Sequence, residues 1–145
     1  MSEKQDLAKA RFGKGFNCAQ AVMSVFSENY GLDEKCSLKI ACGLGGGLRS
    51  GEVCGAASGA VLVVGLRYGQ CEIDDKEAKA NCYAKTEEFL TRFKADNGSI
   101  ICRDLLGVDI STEDGRRIAQ ERALFRTKCD ALVTSAVPIL EDFGY

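Results

Sequence analysis

Apolar residues return every three or four positions along most of this chain, between segments rich in glycine and charge. That spacing predicts helices rather than strands. A short charged helix is expected over residues 3–12, stopped by Gly13 or Gly15. A second should run from Cys18 to about Asn29, with Ala21, Val22, Val25 and Phe26 on one face ahead of Gly31. Asp33 stands where it would cap a third helix reaching about Cys42. The fourth, over about 53–67, is apolar nearly all round and so marks a central buried helix. Its Gly55 and Gly59, four apart, would let a neighbouring backbone approach closely. A long charged helix near 75–94 carries Cys82, Phe89 and Phe93 on one stripe, with Gly98 beyond it. Shorter helices are expected near 100–106 and 113–125. The last, over 128–142, contains the only proline, Pro138, as a kink or an early stop. With no internal repeat and no linker, the expected fold is all-α: a single-domain compact helical bundle over residues 1–145, built round the helix at about 53–67.

Charge narrows the partners. The chain has 19 Lys and Arg against 21 Asp and Glu, a formal net charge of −2, with both signs interspersed. There is no basic footprint for nucleic acid and no polybasic patch for an anionic membrane. The charged segment MSEKQDLAKARFGKGF lacks the apolar centre of a signal peptide. The longest apolar run is about 12 residues, short of the roughly 18–20 that cross a bilayer. Cytoplasmic location without membrane insertion is the expectation, with a homodimer left open.

Eight cysteines and no histidine then decide which chemistries remain. Ser-His-Asp and Cys-His units, His-ligated haem, Cys₂His₂ zinc fingers and facial-triad iron are all excluded. No two cysteines are spaced C-x-x-C, so any site must be assembled by the tertiary fold. Four cysteines stand near expected helix starts. Asn17 and Gln20 form a capping-box pattern that puts Cys18 at the first helical position, and Ser99 would cap a helix with Cys102 at its third. Thr127 with Asp130 would place Cys129 at the second position of the last helix, and Cys54 falls in the first turn of the apolar helix. Free N–H groups and the positive end of the helix dipole favour thiolate, the form that ligates metal or attacks a disulfide. Any one of these cysteines is equally well explained as a small buried hydrophobe. Cys36, three residues after Asp33, passes the same test, so helix starts alone do not select four of eight. Cys82 reads as core packing, Cys71 as an exposed loop thiol, and Cys42 as a helix-end residue with some claim as a ligand.

Glycines dominate the stretch between Cys42 and Cys54. It matches neither G-x-G-x-x-G nor a P-loop, so phosphate binding is the weaker reading. Gly45, Gly46 and Gly47, with Gly55 at the helix start, are instead candidate cofactor-binding positions where backbone approaches a cluster sulfur or a substrate closely.

The hexapeptide Cys54-Gly55-Ala56-Ala57-Ser58-Gly59 follows a GGG loop, with N-C-A-Q at 17–20 upstream and C-R-D-L-L-G at 102–107 downstream. In these features the chain resembles the C_GCAxxG_C_C family of redox-active proteins over about residues 12–140. The resemblance maps the family's four signature cysteines onto Cys18, Cys54, Cys102 and Cys129. It also extends to the non-haem part of split-Soret cytochromes, where such cysteines accompany an iron centre. With no C-x-x-C-H and no histidine, this chain could share only the cysteine site and not the haem. The resemblance implies redox work with an unidentified redox partner. Three forms of site follow. The first is an iron–sulfur cluster, [2Fe–2S] or similar, on Cys18, Cys54, Cys102 and Cys129. The second is a thiol–disulfide oxidoreductase using two of the four as redox thiols, and the third is a structural Cys₄ zinc site.

Overall fold

Local side-chain caps start most of the helices in the computed structural model, which describes residues 1–145. Ser2, Asn17, Asp33, Asp75 and Thr112 each accept a hydrogen bond from the backbone N–H three residues on. They open α1 (Glu3–Gly13), α2 (Cys18–Ser24), α3 (Glu34–Ala41), α5 (Lys76–Asn97) and α7 (Glu113–Glu121). The remaining helices are α4 (Gly55–Tyr68), α6 (Cys102–Leu106) and α8 (Asp130–Asp142). The fold is all-α. Its only extended pairing is an isolated bridge between Val53 and Ile101.

The apolar helix is central, as its sequence predicts: α4 packs against α2, α5 and α8. Gly59 is the closest point. A Cβ there would stand 2.6 Å from the Ala19 carbonyl oxygen and 2.8 Å from its Cα, so only glycine lets α2 lie this near. The main core gathers α4 with Val22, Met23 and Phe26 from the α2 segment, Phe89 and Phe93 from α5, and Val133 and Val137 from α8. A smaller cluster of Cys102, Leu106, Ile110, Ala119, Leu124 and Cys129 lies beside it. No helix is long and apolar enough to cross a membrane.

Four expected boundaries move, each for a local reason. The second helix stops at Ser24 instead of running to Asn29. Its end tightens, with the Phe26 N–H bonded to the Met23 carbonyl, into a 3₁₀ turn over Ser27–Tyr30 that buries Phe26 completely. The helix near 100–106 begins only at Cys102, because Ile101 is held extended by its bridge to Val53. The helix over 113–125 ends at Glu121, and Ala123 turns the chain at φ 54°. The last helix is entered through a π turn, Phe125–Cys129.

Pro138 neither stops α8 nor leaves its backbone unsatisfied. The missing N–H frees the carbonyl of Thr134 four residues back, and the Gln5 side-chain amide of α1 donates to that oxygen at 2.9 Å.

Candidate four-cysteine site

Cys18, Cys54, Cys102 and Cys129 line one cavity of about 170 Å³, and Gly45, Gly46, Gly47 and Gly55 line it with them. The site lies at the seam of the two apolar clusters: Cys54 belongs to the larger, Cys102 and Cys129 to the smaller, and Cys18 packs against both. Phe12, Leu105, Leu106, Ile110, Phe125 and Leu132 complete the apolar wall. The other four cysteines stay outside. Cys36, Cys42 and Cys71 are exposed, and Cys82 is half-buried against the main core.

Each site cysteine arrives by a different device. Cys18 opens α2 as expected, behind the reciprocal Asn17–Gln20 box. Both box side chains reach further, Asn17 to the Cys42 carbonyl and Gln20 to the Leu38 carbonyl, which fixes the start of α2 on α3. Cys54 is the residue before α4 rather than a member of its first turn. Cys102 is the first residue of α6, not the third, because the Ser99 hydroxyl accepts from Ile101 and caps nothing further along. Cys129 is not at a free helix start. The Thr127 hydroxyl donates to the Ala123 carbonyl, and Cys129 itself is helical at φ −65°, ψ −40° within the π turn.

Cys54 and Cys102 are tied together through backbone. The Cys54 N–H donates to the Ile100 carbonyl at 2.7 Å, and the Cys102 N–H to the Glu52 carbonyl at 2.6 Å. Arg103 reinforces the pairing from outside, donating to the Glu52 carboxylate at 2.7 Å and to the Ser50 carbonyl at 3.3 Å. No backbone hydrogen bond joins Cys18 to Cys129; their thiols are near enough for each to perturb the other's protonation.

The protonation pattern corrects the expectation that helix starts favour thiolate at all four. Burial pushes Cys54 up to about 11, outweighing the N–H groups of Ala56 and Ala57 that face its sulfur. Burial also pushes Cys102 up to about 12, with the neighbouring Cys54 and Cys129 sulfurs and Asp109 adding to the rise. Donation to Cys129, helped by burial, holds Cys18 well above the ordinary thiol range. The same hydrogen bond lowers Cys129, which makes it the most acidic of the four.

The glycine stretch forms a strap along one side. Gly46, Gly47, Leu48 and Arg49 have φ of 66°, 63°, 61° and 56°, a left-handed turn. The two non-glycine residues each cost about 1–2 kcal/mol in this conformation. Gly47 cannot be replaced cheaply, because a Cβ would meet the Glu52 backbone and lie 2.9 Å from the Cys102 Cβ. The glycines of this stretch suit a tight turn with positive φ, as Gly46 and Gly47 adopt, but the sequence gives no sign that Leu48 and Arg49 would share that conformation, nor that Arg49 would line the cavity.

No three Cys, Asp or Glu side chains stand close enough together to hold a single metal ion. The four sulfurs belong to residues that line one shared cavity. As a donor set they fit a thiolate-ligated cluster, which separates its ligands more widely than one ion does.

A helical protein with four cysteines gathered from four separate segments round one apolar cavity is organised about its thiols. The chain belongs to the C_GCAxxG_C_C family, whose model, described as "Putative redox-active protein (C_GCAxxG_C_C)", matches residues 16–143. No curated protein and no solved structure matches it, and the likeness to split-Soret cytochromes therefore rests on the sequence motifs alone.

Proposed function

We propose that this redox-active protein holds an iron–sulfur cluster of [2Fe–2S] type on Cys18, Cys54, Cys102 and Cys129, for single-electron transfer or redox sensing in the cytoplasm. One observation carries the reading: all four cysteines line the same cavity, although 36, 48 and 27 residues separate them in sequence. Disulfide chemistry needs two of them and would leave two buried thiols without work. Bound there, the cluster would supply a one-electron couple. The protein's part is to present four sulfurs and give up their protons, which three of the sites retain strongly when empty. Most of the lining round the four sulfurs is apolar. A redox partner would exchange the electron at the cavity mouth.

The opposite shifts of two neighbouring thiols, Cys18 raised and Cys129 lowered, favour a second reading, a Cys18–Cys129 dithiol. In that chemistry the Cys129 thiolate attacks a partner disulfide and expels one partner thiolate. Cys18 then attacks the Cys129 sulfur of the mixed disulfide, its proton passing to the departing thiolate. Two electrons reach the partner and the chain keeps the new disulfide.

Anaerobic purification separates the two readings, with a visible spectrum and iron and acid-labile sulfide assays on the same sample. The cluster reading expects absorption between about 320 and 460 nm with matched iron and sulfide. Serine at any of the four positions should abolish it, and Cys82→Ser should not. Colourless protein free of iron, with activity that survives Cys54→Ser and Cys102→Ser, supports the dithiol.

A further inference from the structure

We propose that Arg49 is the counter-charge of the cysteine cavity: its guanidinium draws negative charge to the mouth and stabilises the site's more reduced, more negative state. Among the residues that line the cavity, Arg49 is the only one with a formal charge. It has no carboxylate partner, being in none of the seven ion pairs of the structure. The guanidinium lies back over Gly46, with Nη1 3.2 Å from where a Cβ on that glycine would stand.

Its backbone is held in an unfavourable form to put it there. Leu48 and Arg49 are two of only three non-glycine residues with positive φ. The turn is clamped at both ends, by Gly47 wedged against Cys102 and Glu52, and by the Glu52 N–H bonded to the Gly47 carbonyl at 2.9 Å. Strain maintained by its surroundings at the rim of a site points to a role for the residue it presents. Arg49 is exposed at the rim, where negative charge brought to the cavity would meet it first.

The redox part of this assignment rests on the cluster reading above; the attraction of anions to the mouth does not. When a one-electron donor loses its electron to the site, one negative charge is added beside the ligating thiolates, and Arg49 is the only cation in the lining to offset it. Arg49 favours that state, and removing it lowers the midpoint potential.

Two readouts test this with Arg49→Gln and Arg49→Lys, circular dichroism confirming the fold of each. In anaerobically purified holoprotein at low salt, Arg49→Gln should shift the reduced-to-oxidised ratio toward oxidised by about threefold at fixed potential, Arg49→Lys should recover most of it, and high salt should close the gap. In metal-free reduced protein carrying Cys36→Ser, Cys42→Ser and Cys71→Ser, the site thiols are challenged with dianionic dithionitrobenzoate and with neutral dithiodipyridine. Each reaction leaves a mixed disulfide, with release of one nitrothiobenzoate thiolate in the first case and one neutral pyridinethione in the second. The anionic-to-neutral rate ratio should fall about threefold in Arg49→Gln and be retained in Arg49→Lys. An unchanged ratio overturns the proposal whatever the colour of the protein. An unchanged potential in coloured holoprotein overturns its redox part. Colourless, iron-free protein with a changed ratio keeps Arg49 as the cavity's cation and overturns the cluster reading instead.

Discussion

The two halves of the cysteine cavity are built by opposite means. Cys54 and Cys102 stand on a short backbone pairing, each N–H bonded across to the other's strand. Cys18 and Cys129 come from segments joined by no backbone bond at the site, and their thiols perturb each other's protonation. A backbone pairing persists whatever the protonation or oxidation of the side chains it carries. The coupling between two thiols is lost as soon as either sulfur is ligated or oxidised. The first half is therefore a fixed wall, and the second is where chemistry would be felt as movement.

The strongest way to disturb this arrangement is to push the halves apart. Gly59→Val forces a side chain into the Ala19 backbone and separates α2, with Cys18, from α4, which follows Cys54. A loss of about 3 kcal/mol in denaturant unfolding is expected, together with loss of any bound chromophore. A pH series separates the halves by proton affinity. In metal-free reduced protein the raised values of Cys54 and Cys102 favour the folded state fully below the ordinary thiol value near 9. That contribution is lost as pH rises through about 11 and 12. Unfolding midpoints should fall across this range, and less steeply in Cys54→Ala; a flat wild-type profile would contradict the burial argument. Asn17→Ala removes the cap beneath Cys18 alone and should cost about 1 kcal/mol. Thiol alkylation followed by mass spectrometry should then show Cys18 more reactive and Cys102 unchanged. The smallest effect belongs to Arg103→Gln. Its ion pair with Glu52 is exposed on both sides, and the two backbone bonds beneath it should keep the Cys54–Cys102 wall and the unfolding midpoint nearly as they were.

What the sequence disclosed and what it concealed follows the same division. The Asn17–Gln20 box is visible because both of its hydrogen bonds lie within four residues, and the Gly55–Gly59 spacing shows because close helix packing needs small residues at that interval. Local signals of the same kind at Ser99 and Thr127 misplace Cys102 and Cys129. There a tertiary partner decides: the Val53–Ile101 bridge in one case, the π turn in the other. The proton affinities also depend on tertiary structure. At Cys54 the helix-start N–H groups still lower the thiol, but burial, which the sequence does not show, outweighs them. The motif resemblance, not the helix starts, separates the four cavity cysteines from Cys36, which has an equally good cap and remains exposed.

The π turn before α8 can be regarded as one surplus residue in a screw thread. Each residue of an ordinary α-helix advances the side chain by about 100°. Remove one residue from the segment just ahead of Cys129 so that the thread runs true, and everything on one side of the cut rotates against the other by that angle. Since Val133 and Val137 anchor α8 in the main core, it is the register between that core and the Phe125 wall that would slip. The surplus residue works as a shim, setting the angular phase at which the last helix delivers its sulfur.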